Sequence, residues 1–160
     1  MPVLLARVDD RLVHGQVVHG WGRSLDATFF AIVSDELRAD PERAELYLFA
    51  VPDGAAGLAV SVSEALGPEF RSSVEAARTI LLFADLATPR RLVEGGFRLE
   101  TLNVGGLHHT PGKHEVLDYV FLDAGDRDEL RRLARLGVRV TAQDLPGNAA
   151  HELGALVGTE

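Results

Sequence analysis

The chain has 160 residues, of which 46% are hydrophobic, and this size favours one compact domain with an ordinary core. Its 16 basic and 24 acidic residues give a net charge of -8, which argues against a basic surface for nucleic acid or anionic lipid. It has no cysteine, hence no disulfide or thiol chemistry, and no apolar run of the roughly 20 residues that span a bilayer. We expect a cytoplasmic protein with no signal peptide and no intrinsic membrane segment.

Apolar runs with strand character alternate with amphipathic segments along the chain. The predicted strands are Val3–Val8, Ala27–Val33, Gly57–Val62, Ala77–Phe83, Glu100–Val104, Tyr119–Leu122 and Val138–Ala142. The predicted helices are Gly15–Ser24, Pro41–Ala50, Ser63–Ser73, Thr88–Gly95, Asp126–Leu136 and His151–Val157. This alternation predicts one α/β domain over residues 1–160, with a mainly parallel sheet of about seven strands and helices on both faces.

Several of the predicted helix ends carry a signal of their own. Asp40-Pro41 and Thr88-Pro89 each offer an N-cap side chain followed by a proline in the first turn. Gly95-Gly96 and Gly137 offer the left-handed residue with which many helices end.

The most informative stretch follows the first strand, where Arg7–Val17 places His14 in a loop with two arginines, two acids and a glycine. Imidazole can attack an electrophile at neutral pH, and the planar forks of Arg7 and Arg11 suit phosphate oxygens. Gly15 allows a close approach of the backbone, and N–H groups of the following helix can bind phosphate. Ligands of open α/β sheets lie outside the carboxyl ends of the strands. His14 is therefore a candidate phosphoryl carrier.

The same loop also allows a purely structural interpretation. His14 can cap a helix or hydrogen-bond to Asp9 or Asp10. Asp10 can orient the imidazole, or it can hold Arg11 instead. Spacing alone leaves these alternatives open.

A second group of residues, Leu102–His114, begins on a predicted strand and ends in a loop rich in glycine and proline. If that strand lies beside the first one, the loop faces His14. Gly105-Gly106 could then form a backbone nest for an anion, and Lys113 could add positive charge. Spacing alone favours an ordinary glycine-rich connection, and the segment lacks the Gly-Lys-Ser/Thr of a P-loop.

The histidines of this region raise the alternative of a zinc-dependent hydrolase. His108, His109 and His114 lie near Glu115 and Asp118 in the sequence, and imidazoles and carboxylates bind zinc. None of them has the spacing of a His-Glu-x-x-His helix. We therefore expect no metal site.

Five segments of the chain together resemble a known family. Arg7–Val17 resembles the signature of enzyme IIB of the mannose/fructose/sorbose class of the sugar phosphotransferase system. The resemblance continues, in order and at family-like spacing, through Ile32–Glu36, Leu92–Gly96, Val104–Gly106 and Gly112-Lys113. It extends over nearly the whole chain. The first segment is specific, whereas the glycine motifs would be weak alone.

The resemblance implies a function as well as a seven-stranded α/β fold. His14 would accept a phosphoryl group from a phosphohistidine of enzyme IIA, and the group would pass to a sugar bound by the membrane components IIC and IID. This is the activity of a protein-N(pi)-phosphohistidine–sugar phosphotransferase component, peripherally associated with a transporter and independent of Mg²⁺ or a cofactor. Arg11 would contact the phosphoryl group, while Asp10 and Gln16 would shape the loop. The alternative is a regulatory phosphohistidine module that reports the state of its donor without sugar transport.

Two segments depart from the pattern of that family. Ala84-Asp85 follows the fourth strand where members often carry a more polar turn. Leu107-His108-His109 stands in place of a loop that usually contains methionine. These departures leave the chemistry expected at His14 intact, and they bear on the substrate system and the partner.

Overall fold

The computed structural model describes residues 3–158 as one α/β domain built around a seven-stranded sheet. The strands are β1 (Val3–Asp9), β2 (Phe29–Val33), β3 (Ala56–Val60), β4 (Thr79–Phe83), β5 (Thr101–Gly106), β6 (His114–Leu117), β7 (Val120–Leu122), β8 (Arg139–Ala142) and β9 (His151–Glu152). The strand order in the main sheet is β3-β2-β4-β1-β5-β8-β9. Every pairing in it is parallel except that of β8 with β9. The predicted fold class is therefore confirmed.

Helices cover both faces of this sheet. A π-helix (Gln16–Gly22) is followed by α1 (Arg23–Leu25), α2 (Asp35–Arg38), α3 (Pro41–Leu48), α4 (Val62–Ala65), α5 (Pro68–Glu75), α6 (Ala87–Glu94), α7 (Ala124–Arg135) and α8 (Leu153–Val157). The π-helix, α2 and α3 pack on one face, while α4 to α8 pack on the other. No helix in the described ranges has the length and apolar character needed to cross a membrane.

Strand β2 is buried on both faces, and its residues are apolar at every position. In β2, Phe30 and Ile32 belong to the core cluster beneath the π-helix and α3. The alternate residues of the same strand, Phe29, Ala31 and Val33, belong to the cluster beneath α5 and α6. The sequence prediction of doubly buried strands is confirmed here, since all five residues of β2 are buried.

Two predicted elements occupy a different place in the structure. Tyr119–Leu122 was expected among the strands of the main sheet, but β7 pairs with β6 in a separate two-stranded antiparallel sheet. The seventh strand of the main sheet is β9, within the segment 151–157 that was expected to be helical throughout. His151 pairs with Ala142 before the chain turns into α8, so an edge pairing takes two residues from the predicted helix.

Helix boundaries follow the residues that supply caps. The predicted helix Ser63–Ser73 is two helices, because Pro68 has no N–H to donate and begins α5 as its first residue. The Asp40-Pro41 prediction is confirmed, since Asp40 accepts a hydrogen bond from the Arg43 N–H. The Thr88-Pro89 prediction is wrong: α6 begins at Ala87, and the carboxylate of Asp85 accepts from the Thr88 N–H at 2.8 Å.

Candidate active site

The candidate site lies at the carboxyl end of β1, in the middle of the sheet. β1 is flanked by β4 and β5, and Arg7 of β1 lies opposite Asn103 of β5. The chain leaves β1 towards the face covered by the π-helix, whereas it leaves β4 towards the opposite face, covered by α6. The two connections therefore leave this edge on opposite faces of the sheet, and the carboxyl ends of the strands at such a point are the usual place for a ligand.

Asp9, the last residue of β1, connects most of the polar groups at this edge. Its Oδ2 lies 2.8 Å from His14 Nε2 and 3.1 Å from Arg7 Nη2. Its Oδ1 accepts a hydrogen bond from the Arg11 N–H at 3.0 Å. The Asp9 side chain is fully buried, while that of His14 is 17% exposed. The buried carboxylate thus fixes an imidazole that still reaches the surface.

The electrostatics of this group favour the ionised form of Asp9. Burial works to raise the pKa of Asp9, but the hydrogen bond with His14 and the positive charge of Arg7 outweigh burial, and the net pKa lies below its usual value. An ionised carboxylate only accepts hydrogen bonds, so Nε2 of His14 carries the proton shared with Asp9. In the neutral imidazole the lone pair then resides on Nδ1, and no hydrogen bond joins Nδ1 to any group of residues 3–158.

Arg7 lies beneath the site and supports Asp9. Its side chain is fully buried, its Nη1 donates to Asn103 Oδ1 at 2.8 Å, and its guanidinium lies 5.6 Å from the centre of the Trp21 ring. Burial lowers the pKa of Arg7, and the charge of Asp9 opposes that shift. The sequence suggested that the Arg7 guanidinium could bind phosphate oxygens, but in the structure it binds Asp9 and Asn103 inside the protein.

Gly105 and Gly106 make room for these buried charges. Both belong to β5, and a methyl group on Gly105 would lie 1.8 Å from the Arg7 guanidinium carbon. The Gly106 carbonyl accepts a hydrogen bond from the Asp10 N–H at 2.9 Å. The two glycines are thus strand residues packed against Arg7 and Asp9, which is a structural role and not the anion nest that the sequence left open.

Arg11 is the cationic fork that faces solvent beside His14. Its side chain is 45% exposed, and its Nε lies 3.7 Å from Asp9 Oδ1. Its Nη2 donates to Gln16 Oε1 at 2.9 Å, so Gln16 steadies it. Gly15 follows His14 in a helical conformation, and a methyl group there would meet nothing within 4 Å.

The turn between Asp9 and His14 holds a non-glycine residue in the left-handed region. Leu12 has a φ of 54°, yet its side chain is buried. The Leu12 N–H donates to the Asp9 carbonyl at 2.9 Å. Burial of the leucine side chain and this hydrogen bond hold a conformation that glycine or asparagine adopts more readily.

His108 was not expected at the site, and it holds Asp10. The His108 backbone N–H donates to Asp10 Oδ2 at 2.7 Å, and its Nδ1 lies 2.5 Å from Asp10 Oδ1. Asp10 therefore joins the loop after β1 to the loop after β5. The roles considered for Asp10, orienting His14 and holding Arg11, belong to its neighbour Asp9.

Lys113 pairs with an acidic residue of α7 and not with the groups that surround His14. Its Nζ forms an ion pair with Asp126 Oδ2 at 3.2 Å, in the first turn of α7. His109 packs its ring edge to face with Phe121. Within residues 3–158, no three or more histidine, aspartate or glutamate side chains group together as metal ligands would.

Known proteins are similar in sequence to this chain over most of its length. The sequence matches the family described as "PTS system sorbose subfamily IIB component" over residues 3–160. It is 37% identical over 140 residues to the sorbose-specific EIIB component of Lacticaseibacillus casei, covering 88% of this chain and 85% of that protein. It is 34% identical over 140 residues to the mannose-specific EIIAB component of Escherichia coli strain K12, covering 88% of this chain and 43% of that protein, so it spans less than half of this relative.

A solved structure has the same fold over nearly the same length. The IIBSor domain of the sorbose permease from Klebsiella pneumoniae superimposes with a TM-score of 0.87 at 29% sequence identity. The match covers 99% of this chain and 97% of that one.

Proposed function

The chain belongs to the sorbose-subfamily IIB components of the sugar phosphotransferase system, and from this we propose that it carries a phosphoryl group on His14. The group arrives from a phosphohistidine of enzyme IIA and leaves to a sugar held by the membrane components IIC and IID. The carrier works in the cytoplasm, at the surface of that transporter. The single observation that carries the proposal is the buried Asp9 carboxylate, which holds Nε2 of His14 and leaves Nδ1 of this partly exposed imidazole without a hydrogen bond within residues 3–158.

Transfer to His14 exchanges one phosphorus–nitrogen bond for another. Nδ1 attacks the phosphorus while the bond to the donor imidazole breaks, and the donor ring leaves with that electron pair. As the new bond forms, positive charge develops in the His14 ring, and the Asp9 carboxylate stabilises it through Nε2–H. In onward transfer a sugar hydroxyl attacks the phosphorus and the phosphorus–Nδ1 bond breaks, with its electron pair returning to Nδ1. The hydroxyl proton passes to solvent, and the His14 ring is neutral again.

Arg11 supplies the second requirement, neutralisation of the phosphoryl oxygens. Phosphoryl transfer depends mainly on positioning and on electrostatic stabilisation of the three equatorial oxygens. Arg11 is the half-exposed guanidinium that shares the Asp9 carboxylate with His14, and its hydrogen bond to Gln16 holds it there. Arg7 contributes indirectly, because it keeps Asp9 ionised and in place.

The experiment that tests the proposal is donor-dependent labelling followed by mapping of the modified residue. The purified chain is incubated with a phosphorylated enzyme IIA relay, and we expect acid-labile, alkali-stable label on His14 alone. His14→Ala should abolish labelling, whereas His19→Ala, which removes the next histidine along the chain, should leave it unchanged. Label retained in His14→Ala, or mapped to His108, would contradict the assignment, as would stoichiometric labelling by ATP and Mg²⁺ without a donor.

A further inference from the structure

The β3 edge of the main sheet carries backbone groups without a partner. The Ala56 N–H donates to the Thr28 carbonyl, and the Val60 carbonyl accepts from the Ser34 N–H. In a parallel pair, alternate residues direct both backbone groups to the neighbouring strand. The N–H and C=O groups of Gly57 and Ala59 therefore point away from β2, and no backbone hydrogen bond to them from another described segment is present.

This edge forms the floor of a groove remote from His14. The groove has a volume of about 640 Å³ and lies between α3, on one face of the sheet, and α5, on the other. Its apolar surface comes from Pro41, Ala44, Leu48, Leu58, Pro68 and Phe70. Leu58, in β3 itself, is 41% exposed, and Leu46 in α3 and Phe49 just after it face solvent at 76% and 92% exposed. Exposed apolar side chains beside an open strand edge are typical of a protein interface.

The shape of the groove favours one extended strand as its occupant. A strand that pairs with Gly57 and Ala59 satisfies the outward groups, as in other cases of strand addition. If a second copy of this chain paired through its own β3, its α3 and α5 would be pressed against the α3 and α5 that form the walls of the groove. A single strand without flanking helices fits between the walls.

The charges at the rim favour a basic occupant. Glu45 on the α3 wall and Glu69 on the α5 wall form no ion pair within residues 3–158, whereas Arg38 is paired with Glu64 at 2.8 Å. Both free carboxylates can therefore meet lysine or arginine side chains at the two sides of a bound strand.

We propose that this groove docks an extended, lysine- or arginine-bearing cytoplasmic segment of the membrane component, an inference that rests on the proposed function. Cytoplasmic loops of membrane proteins carry an excess of lysine and arginine. β3 is the third strand from β1 in the sheet, about 14 Å away at the usual strand spacing. α2 and α4, which contribute Arg38 and Glu64 to the groove, lie just beyond the carboxyl ends of β2 and β3, on the edge that presents His14. A partner held there reaches the phosphoryl group from the same side.

The substitution Ala59→Pro tests strand pairing at this edge without removing any hydrogen bond inside the sheet. Proline removes the outward N–H of Ala59 and none of the hydrogen bonds to β2, and proline is tolerated on edge strands for that reason. The matched control is Ala59→Ser, which keeps the N–H. Equal thermal midpoints of the two variants establish that both are folded; if the proline variant is less stable, the double variant Glu45→Gln/Glu69→Gln serves instead.

The binding probe is a fluorescein-labelled peptide of sequence Lys-Val-Thr-Val-Thr-Val-Lys, measured by polarisation with the whole chain. We expect Ala59→Pro to weaken binding about tenfold, the value of one lost hydrogen bond. A peptide with glutamate at both ends should bind roughly fivefold more weakly, since two exposed ion pairs are lost. Failure of the lysine peptide to bind, or equal binding by both variants, would overturn the docking site.

Membrane vesicles that contain IIC and IID test the source of the segment. Phosphorylated Ala59→Pro should transfer its phosphoryl group to sugar about tenfold more slowly than Ala59→Ser, while both accept it from the donor at equal rates. Equal onward rates would overturn the assignment to the membrane component. A dimer that sedimentation finds in Ala59→Ser and not in Ala59→Pro would assign the edge to a second copy instead. Failure of His14 to accept label contradicts the proposed function separately, because peptide binding is measured without phosphate.

Discussion

Gly105→Ala should damage the site from beneath, although Gly105 contacts neither solvent nor His14. The added methyl carbon would lie 1.8 Å from Arg7 Cζ and 2.1 and 2.2 Å from its two terminal nitrogens. Arg7 is fully buried and cannot swing into water, so either its ion pair with Asp9 breaks or β1 and β5 separate. Overpacking alone costs about 1–3 kcal/mol. Breaking a buried ion pair costs about 3–5 kcal/mol, and we expect the loss of stability to approach that range.

Urea unfolding measures this loss, and Gly15→Ala is the matched control. A methyl group on Gly15 would meet nothing within 4 Å, and the backbone there is already helical. Gly15→Ala should therefore leave stability unchanged or raise it by about 0.4–1 kcal/mol. Donor-dependent labelling should fall in Gly105→Ala, because Asp9 loses the group that positions it.

A double-mutant cycle identifies the cause of the effect. In an Arg7→Ala background the methyl group of Gly105→Ala enters the space left by the guanidinium, so its cost should fall to about 1 kcal/mol or less. An equal cost of Gly105→Ala with and without Arg7 would refute the steric argument. A cost below about 1 kcal/mol in the otherwise unchanged chain would refute it as well.

Three further substitutions probe the groups around His14. The pKa of Asp9 is lower in the folded chain than in the unfolded chain, so its ionised carboxylate stabilises the fold. This stabilisation is complete above the ordinary pKa of about 3.9 and is lost as the pH falls through the lower pKa of the folded chain. Asp9→Asn should therefore cost about 3–5 kcal/mol at neutral pH, and chemical unfolding should show the difference from the unchanged chain narrowing below about pH 4. Arg11→Lys keeps the charge and loses the planar fork, so transfer measured by rapid quench should slow by roughly one to two decades while the fold is kept; an unchanged rate would show that Arg11 only braces the loop. His108→Asn keeps a donor near the position of Nδ1 and should retain the rate within about twofold, whereas His108→Gln should slow it about tenfold through a misplaced Asp10, and equal rates would remove His108 from the site.

The parts of the fold that hydrophobic pattern alone determines were predictable. β2 and β4 are continuous apolar runs, and a run buried on both faces is recognisable wherever it stands. β9 was not predictable, because a two-residue strand depends on a neighbour, β8, and has no periodicity of its own. β6 was missed since His114 and Glu115 are exposed and give no apolar alternation.

The site was predictable in its location and only partly in its contacts. Sequence order placed His14 and Arg11 at the end of a strand, but it did not decide between Asp9 and Asp10 as the partner of the imidazole. The alternation of side chains along β1 explains why the partner is Asp9. Arg7 and Asp9 are two residues apart, so they point to the same face of the sheet, where they form a buried ion pair. The contact of His108 with Asp10 depends on how β5 aligns with β1, which no local pattern specifies.

Asp9 occupies Nε2 of His14, and we expect this contact to direct the phosphoryl group to Nδ1. The most direct test is nuclear magnetic resonance of the phosphorylated chain, with ³¹P and ¹⁵N-labelled histidine, which distinguishes the two phosphorylated ring nitrogens. We predict one phosphohistidine, at His14, with phosphorus bonded to Nδ1 and a proton retained on Nε2. Phosphorus bonded to Nε2 would show that Asp9 does not direct the reaction to Nδ1, and phosphorus on any other residue would show that His14 is not the carrier.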